Sequence, residues 1–117
     1  MRKITELSVN ALKQRKPFKR GNMQVKWNDF RNKWEVLLHG NCIITLQQNS
    51  GSSIQMEFND CGWQTVTTKE RLNAFLKAFR LPYYINQKSG SWILNYYTDK
   101  PEIWSGKLEI GFNEGAL

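Results

Sequence analysis

A single amphipathic helix constrains the fold of this chain more than any other segment: the run TTKERLNAFLKAFR at residues 67–80. Its apolar residues recur at intervals of three and four and form one stripe: Leu72, Phe75, Leu76 and Phe79. Thr67 is the predicted N-cap, with Glu70 completing a capping box, and Pro82 prevents continuation of the helix. A polar, basic row lies elsewhere on its surface: Lys69, Asn73, Lys77 and Arg80. Since short strands surround it, we expect the helix to lie across a sheet.

The residues before this helix alternate between apolar and polar side chains, which is typical of strands with one buried face. Four strands are predicted, at residues 23–28, 33–39, 42–48 and 54–59. Turn residues separate them at residues 28–32, at Gly40-Asn41 and at residues 49–52. Because every connection is too short for a crossover, the four strands should form an antiparallel meander.

The two ends of the chain add further elements to this meander. Residues 4–16 predict an N-terminal helix that Pro17 ends, and a loop follows at residues 17–22. After the main helix, two strands are predicted around Ser89-Gly90, at residues 83–87 and 92–97. A loop at residues 98–101 and a last strand within residues 103–112 complete the chain.

These elements predict an α+β fold in one domain covering residues 1–117. We expect an antiparallel sheet of about six or seven strands: a meander of four, then the helix, then two or three more. The main helix and the N-terminal helix should pack on that sheet. The predicted divisions are a basic helix and loop (1–22), the meander (23–59), the helix (67–80) and the C-terminal strands (83–112).

Composition indicates a folded, cytoplasmic protein. Apolar residues make up 40% of the chain and aromatic residues 13%, as expected for a globular domain rather than a disordered one. No run of apolar residues is long enough to span a membrane, and the charged start lacks the apolar core of a signal peptide. Cys42 and Cys61 are too few for a disulfide scaffold. We expect them to be free thiols in or near strands, with a disulfide as the alternative.

The positive charge lies almost entirely in the first third of the chain. Residues 1–33 hold ten basic and two acidic side chains, and the other 84 residues hold seven basic and eight acidic ones. The first segment therefore carries a net charge of +8, whereas the remainder carries −1. This asymmetry favours an anionic partner for the N-terminal third. The alternative is that the basic segment only keeps a small domain soluble.

Candidates for catalysis or metal binding are few. His39 and Cys42 lie on either side of a predicted turn, close enough to be conceivable as a base and a nucleophile. A histidine beside a turn is more often a polar surface residue, however. Two cysteines and one histidine without metal-ligand spacing do not form a closed zinc site, and Glu57 and Asp60 lack convergent partners. We therefore expect no enzymatic activity, no metal and no cofactor.

Aromatic side chains are the other candidate for binding. The chain has five tryptophans and four tyrosines, many for its length. Tyr83-Tyr84 and Tyr96-Tyr97 fall in predicted strands, so each pair places its two rings on opposite faces. Rings on an open face could stack on bases or anchor a protein partner. The alternative is that they fill and edge a small core.

Three stretches resemble a pattern found in small proteins encoded by bacteriophages and related mobile elements. They are KPFKRGN at residues 16–22, LHGN at residues 38–41, and GWQT at residues 62–65 followed by TTKERLN at residues 67–73. The resemblance implies a phage or prophage setting. Small basic proteins in that setting often bind nucleic acid or inhibit a host or defence protein. It carries no catalytic residues.

Two functional hypotheses follow. The first is a non-enzymatic protein that contacts DNA or RNA through basic side chains: Lys13, Arg15, Lys16, Lys19, Arg20 and Lys26, extended by Lys69, Arg71 and Lys77. The second is a phage-type inhibitor or adaptor whose basic segment docks on an acidic surface of a host or defence protein. Neither involves a membrane. A homodimer is a further expectation, because exposed sheet edges can pair with a second copy.

Overall fold

The computed structural model of the chain describes residues 2–97 and 100–114. Within these ranges it has two helices, α1 (Lys3–Lys13) and α2 (Val66–Ala78). Its strands, in chain order, are β1 (Phe18–Arg20), β2 (Met23–Asn28), β3 (Lys33–Leu38), β4 (Asn41–Gln48), β5 (Ser53–Asn59), β6 (Tyr83–Lys88), β7 (Ser91–Tyr96), β8 (Glu102–Ile103) and β9 (Lys107–Asn113). The predicted loop at residues 98–101 lies partly outside the described residues.

The strands form two antiparallel sheets. The larger has the order β1-β2-β3-β4-β5-β9, so the predicted meander is confirmed and the last strand returns to pair with β5. The smaller has the order β6-β7-β8. The α+β prediction is therefore confirmed, with the C-terminal strands divided between two sheets. Alternation identifies a strand but not its partner, so the sequence pattern did not indicate this division.

Two local predictions need correction. The segment at residues 17–22 is not only a loop, because Phe18–Arg20 pairs with β2 and forms an edge strand. The turn between β3 and β4 consists of His39 and Gly40, with φ of 51° and 80°, and not of Gly40-Asn41. Two successive positive φ values match the tight hairpin turn that suits the twist of antiparallel strands. Asn41 thereby becomes the first residue of β4.

A bulge in β4 adds one side chain to the core. Val36 is paired with Ile44, whereas Leu37 is paired with Cys42, so Ile43 is an extra residue opposite β3. Ile43 and Ile44 are both buried, although they are adjacent in the chain. The bulge therefore breaks the simple alternation that the sequence predicts for this strand.

The core lies between the larger sheet and the two helices. The innermost side chains of the sheet come from its central strands: Val36, Ile44, Leu46, Ile54, Met56 and Phe58. Leu72, Phe75, Leu76 and Phe79 of α2 are buried too, which confirms the apolar stripe. Helix α1 packs against β2 and α2 and adds Val9 and Leu12.

Helix α2 begins two residues earlier than predicted. Thr65, and not Thr67, is the N-cap: its side chain accepts a hydrogen bond of 3.1 Å from the Thr68 backbone N–H. The predicted capping box is therefore wrong. Glu70 instead accepts a hydrogen bond of 2.7 Å from the Thr5 hydroxyl and so connects α2 to α1.

Among the residues that the structure describes, Arg71 is the most deeply buried charged side chain, with only 1% of its surface exposed. Its guanidinium forms an ion pair with Glu70 and donates to the Thr5 hydroxyl at 2.6 Å. A longer contact of 3.4 Å reaches the side-chain oxygen of Asn22, at the turn between β1 and β2. One cation thus joins α1, α2 and the edge of the larger sheet. Arg71 cannot serve as the surface contact predicted for it.

Asn73 also has a structural role instead of belonging to a solvated basic row. Its side-chain amide accepts a hydrogen bond from the Ile85 backbone N–H and donates one to the Ile85 carbonyl, both at 2.7 Å. The amide therefore acts as a neighbouring strand would and covers the edge of β6. In this way α2 holds the smaller sheet as well as the larger one.

We expect Arg71→Ala to lower the free energy of unfolding by about 3 kcal/mol, because it leaves the partly buried Glu70 carboxylate without its main counter-ion. Urea denaturation followed by circular dichroism measures this. Lys77→Ala, an exposed lysine of the same helix, is the control and should change the stability by less than about 0.5 kcal/mol. Equal effects of the two substitutions would contradict the role assigned to Arg71.

Candidate functional site

The two helices run in the same direction, which brings their C-terminal ends together. Near their starts, Thr5 of α1 contacts Glu70 and Arg71 of α2. Near their ends, the Lys13 Nζ lies 5.6 Å from the centroid of the Phe79 ring. This cation–π contact keeps the Lys13 charge at the surface. The basic residues that end each helix therefore face the same side of the molecule.

Both helices end in the same motif, each with an arginine in the left-handed conformation. Arg15 has φ of 55° and Arg80 has φ of 56°. After α1, the Arg15 and Lys16 N–H groups donate to the carbonyls of Leu12 and Ala11; the residues after α2 repeat the pattern. This is the Schellman motif, in which glycine is the usual left-handed residue. Arginine at these positions places charge at the helix ends at a conformational cost.

Arg15 is engaged within the fold. Its guanidinium donates to the Leu12 carbonyl at 2.9 Å, and it forms an ion pair of 2.7 Å with Glu114. It therefore caps α1 and joins it to the end of β9. Lys13 and Arg80 line a neighbouring cleft of about 290 Å³ together with Ala78, Phe79 and Glu114. Since Arg15 neutralises Glu114, this cleft is positively charged.

The hairpin of β2 and β3 carries exposed aromatic side chains at its tip. Phe30, in the turn, is 99% exposed, and Trp27 is 42% exposed. The Trp27 ring lies edge-on to Trp34, with 5.8 Å between the ring centroids. The Trp27 indole N–H donates to Asp29 at 2.5 Å, which fixes the ring orientation. Arg31 and Lys33 supply positive charge beside these rings, although Arg31 forms an ion pair with Glu35.

Strand register places this hairpin tip at the same end of the sheet as the helix C-termini. Asn28 is paired with Lys33, and the neighbouring Trp34 is paired with Leu46. The register continues through the pairs Gln48 with Ile54 and Ser53 with Asn113. Glu114 follows directly and contacts Arg15. We call this surface the basic end and define it by Lys13, Lys16, Lys77 and Arg80 at the helix ends and by Trp27, Phe30, Arg31 and Lys33 at the hairpin.

The predicted binding residues are thus distributed over several places. The structure brings Lys13, Arg15, Lys16 and Lys77 to the basic end. Three others lie on the edge strand β1 of the larger sheet and on its neighbour β2: Lys19, Arg20 and Lys26. Lys69 lies in the first turn of α2, at the opposite end of that helix. Arg71 is buried, as described above.

Sequence reasoning did not identify Arg80, Trp27 or Phe30 as members of this surface. Trp27 fits the alternation of β2, and this alternation favours the buried face for it. Phe30 did carry a signal, because an aromatic residue inside a polar turn has no neighbouring strand position that would bury it. To predict Arg80 as part of the basic end, one would have to know that the two helices are parallel.

The tyrosine pairs were predicted correctly to divide between two faces. Tyr83 and Tyr96 pack together half-buried, with ring centroids 4.6 Å apart. Tyr84 and Tyr97 are exposed and lie 5.5 Å apart on the other side of the smaller sheet. These rings lie in the smaller sheet, which Asn73 of α2 contacts at strand β6.

The structure gives Cys42 and His39 no arrangement suited to nucleophilic chemistry. Burial of Cys42, helped by the Glu35 carboxylate, raises the pKa of its thiol to about 11. Its Sγ donates to the Ile44 carbonyl at 3.4 Å, while the exposed His39 lies in the turn. Both cysteines are free thiols, and burial likewise raises the pKa of Cys61. Within residues 2–97 and 100–114, no cluster of three or more potential ligands could hold a metal ion.

We expect Cys42 to react slowly with iodoacetamide, since a thiol with a pKa of about 11 is only about one-thousandth ionised at pH 8. In a Cys61→Ser variant, the rate of Cys42 alkylation should rise about tenfold per pH unit between about pH 8 and about pH 10. Mass spectrometry of the modified peptide measures the rate. A plateau near pH 9 would contradict the raised pKa, and the urea-unfolded protein is the control with an ordinary thiol.

No helix in the described part of the chain is long and apolar enough to cross a membrane.

Comparison with known proteins gives one family. No curated protein and no solved structure matches the chain. The family model described as Kyanoviridae Gp96 protein matches residues 1–115. The phage setting that the three sequence stretches imply is thereby confirmed: this chain belongs to the Kyanoviridae Gp96 family of phage proteins.

Proposed function

We propose that this phage protein is a non-enzymatic nucleic-acid-binding protein and that its basic end is the contact surface. The observation that supports this most is the convergence of cations from three separate segments at one end of the molecule. Lys13 ends the first helix and Lys16 follows it, Arg80 follows the second helix, and Lys33 comes from the hairpin. Among the described residues, none of these four forms an ion pair.

The amount of charge at this end exceeds what the helices need. Each helix C-terminus carries about half a negative charge, so two parallel helices present about one in total. Lys13, Lys16, Lys77 and Arg80 supply four positive charges against it, and the nearby Glu114 is already paired with Arg15. A net charge of about +3 is left at the helix ends. Such a surface attracts phosphate groups and releases their counter-ions.

The exposed rings at the hairpin tip favour single-stranded nucleic acid. Trp27 and Phe30 lie in the same hairpin as Arg31 and Lys33, and aromatic rings next to basic side chains allow bases to stack while phosphates are neutralised. Stacking of this kind tolerates many sequences, because every base has a flat face. We therefore expect DNA and RNA single strands to bind more tightly than duplexes of the same length.

A triple variant, Lys13→Ala with Lys16→Ala and Arg80→Ala, tests the basic end. We expect at least tenfold weaker binding to a labelled single-stranded oligonucleotide at about 50 mM salt. The slope of log K against log salt concentration should become shallower by about 2, since each lost phosphate contact removes about 0.7. Fluorescence anisotropy between about 50 and about 200 mM salt measures both quantities.

The matched control removes the same number of charges elsewhere: Lys3→Ala with Lys88→Ala and Lys100→Ala. Lys3 lies at the start of α1 and Lys88 in the smaller sheet, away from the basic end. This control should bind within about twofold of the unmodified protein. If the two triple variants lose affinity equally, the attraction is unspecific. If the unmodified protein binds none of the tested nucleic acids, the proposed function is wrong.

A second experiment uses the left-handed arginine itself. Arg80→Gly should raise the stability by about 0.5–1 kcal/mol, because glycine adopts positive φ without strain, and should weaken nucleic-acid binding. Arg80→Ala should weaken binding equally without raising the stability, because alanine retains the strain. Thermal unfolding and anisotropy, measured on both variants, separate the two effects. Unchanged binding in both would remove Arg80 from the contact surface.

One observation favours the alternative, an inhibitor or adaptor that binds an acidic host or defence protein. The Phe30 ring is almost fully exposed at the tip of a hairpin, where a protein pocket could enclose it. Phe30→Ser distinguishes the two functions. If the protein retains a stoichiometric partner from nuclease-treated host lysate, and Phe30→Ser abolishes that retention while nucleic-acid binding falls less than about threefold, the alternative is favoured.

A further inference from the structure

A concave site lies at the other end of α2 from the basic end. It is a pocket of about 480 Å³, within the size range of small-molecule sites. Its lining consists of Leu38, His39, Asn41, Ile43, Asp60, Trp63, Thr65, Thr67 and Thr68. We propose that this pocket binds one unstacked nucleobase, with the base lying against Trp63. The inference extends the proposed function to a surface that the basic end does not include.

The lining of the pocket suits a flat ring. Leu38 and Ile43 are buried apolar residues that line it, and Ile43 contributes only because of the bulge in β4. Trp63 also lines the pocket and is 60% exposed, so most of its ring is open for stacking. Its backbone is held in place, because the Trp63 backbone N–H donates to the Asp60 carbonyl at 2.8 Å. Base stacking on such a ring is a recurrent source of affinity for unpaired nucleotides.

The polar groups of the pocket suit a nucleobase as ligand better than they suit a purely apolar ring as ligand. Asn41 has two side-chain donors and one acceptor, and His39 has a ring nitrogen of each kind when neutral. In the part of the chain that the structure describes, neither side chain forms a hydrogen bond with another residue. A base edge could pair with them, whereas a phenyl ring would leave them unpaired.

Charge determines which part of a nucleotide would enter. The Asp60 carboxylate is the one charged group that lines the pocket within the described residues, and no lysine or arginine lines it. Asp60 accepts hydrogen bonds from the Gly62 N–H, the Gln64 amide and the Trp104 indole, so it holds the loop in place. A phosphate would face this carboxylate and be repelled. A neutral base would not be repelled by the carboxylate. The sugar and phosphate attached to the base would stay outside the pocket.

The pocket also explains where the phage-like sequence stretches meet. His39 and Asn41 belong to the stretch at residues 38–41, and Trp63 and Thr65 to the stretch at residues 62–65. The stretch at residues 16–22 ends at Asn22, whose carbonyl accepts a hydrogen bond of 2.9 Å from the His39 backbone N–H. Segments far apart in the chain thus build and support one site.

Nucleosides test this inference separately from the basic end, because they carry no phosphate. Adenosine, guanosine, cytidine and uridine should each be titrated into isotope-labelled protein and followed by amide NMR. We expect saturable shifts at Asn41, at the Trp63 indole and in the first turn of α2, for at least one nucleoside. Trp63→Ala should lower the affinity for that nucleoside at least fivefold. The Lys13, Lys16 and Arg80 triple variant should bind it unchanged, even if nucleic-acid binding fails in every assay.

Two comparisons identify the occupant. Tyr97→Ala removes an exposed ring from the smaller sheet, outside both proposed contacts, and should leave nucleoside binding unchanged, so it controls for loss of any surface ring. Asn41→Leu should weaken the binding of the nucleoside more than the binding of N-acetyl-tryptophanamide. The latter compound represents a protein side chain. Tighter binding of N-acetyl-tryptophanamide than of every nucleoside would overturn the inference and favour a protein partner. Absence of saturable shifts with all four nucleosides would overturn it as well.

Discussion

The buried guanidinium of Arg71 determines how the helices and the sheet are arranged. A charge so deeply enclosed is tolerated only where partners replace the lost water. Here Glu70 neutralises it, while Thr5 and Asn22 accept from its donors. Those partners belong to α2, to α1 and to the turn after β1, so satisfying one charge fixes three elements. The parallel alignment of the helices follows, because Thr5 near the start of α1 must meet the start of α2.

Parallel helices concentrate charge in a way that antiparallel helices would not. Each helix end accommodates a cation because of its dipole, and placing the two ends together doubles that capacity in one place. The left-handed arginines show that charge at these ends is retained at a cost in backbone energy, where glycine would be easier. Backbone strain of this kind is more common at functional sites than elsewhere. The same contact that organises the core thus creates the basic end.

Sequence patterns predicted most elements of this fold because those elements depend on local periodicity. The meander and the stripe on α2 are examples, since Met56 or Phe75 is placed by neighbours two to four positions away. What the sequence did not predict depends on distant partners: the division into two sheets, the burial of Arg71 and the use of Asn73 as a strand edge. The binding surface was predicted only in part for the same reason. Its cations could be identified from the sequence, but predicting that they assemble at one end required knowing the direction of the two helices.

The two proposed contacts lie at opposite ends of α2, and this separation has a consequence for the length of the ligand. The helix has 13 residues and is therefore about 20 Å long. At the duplex spacing of about 3.4 Å per nucleotide, a fully stacked strand needs about six nucleotides to cover that distance, and an extended strand needs fewer. A shorter strand engages one end only, whereas a longer one gains from the high effective concentration of its second contact. The rigid helix would thus convert two weak, unspecific contacts into a preference for strands above a certain length.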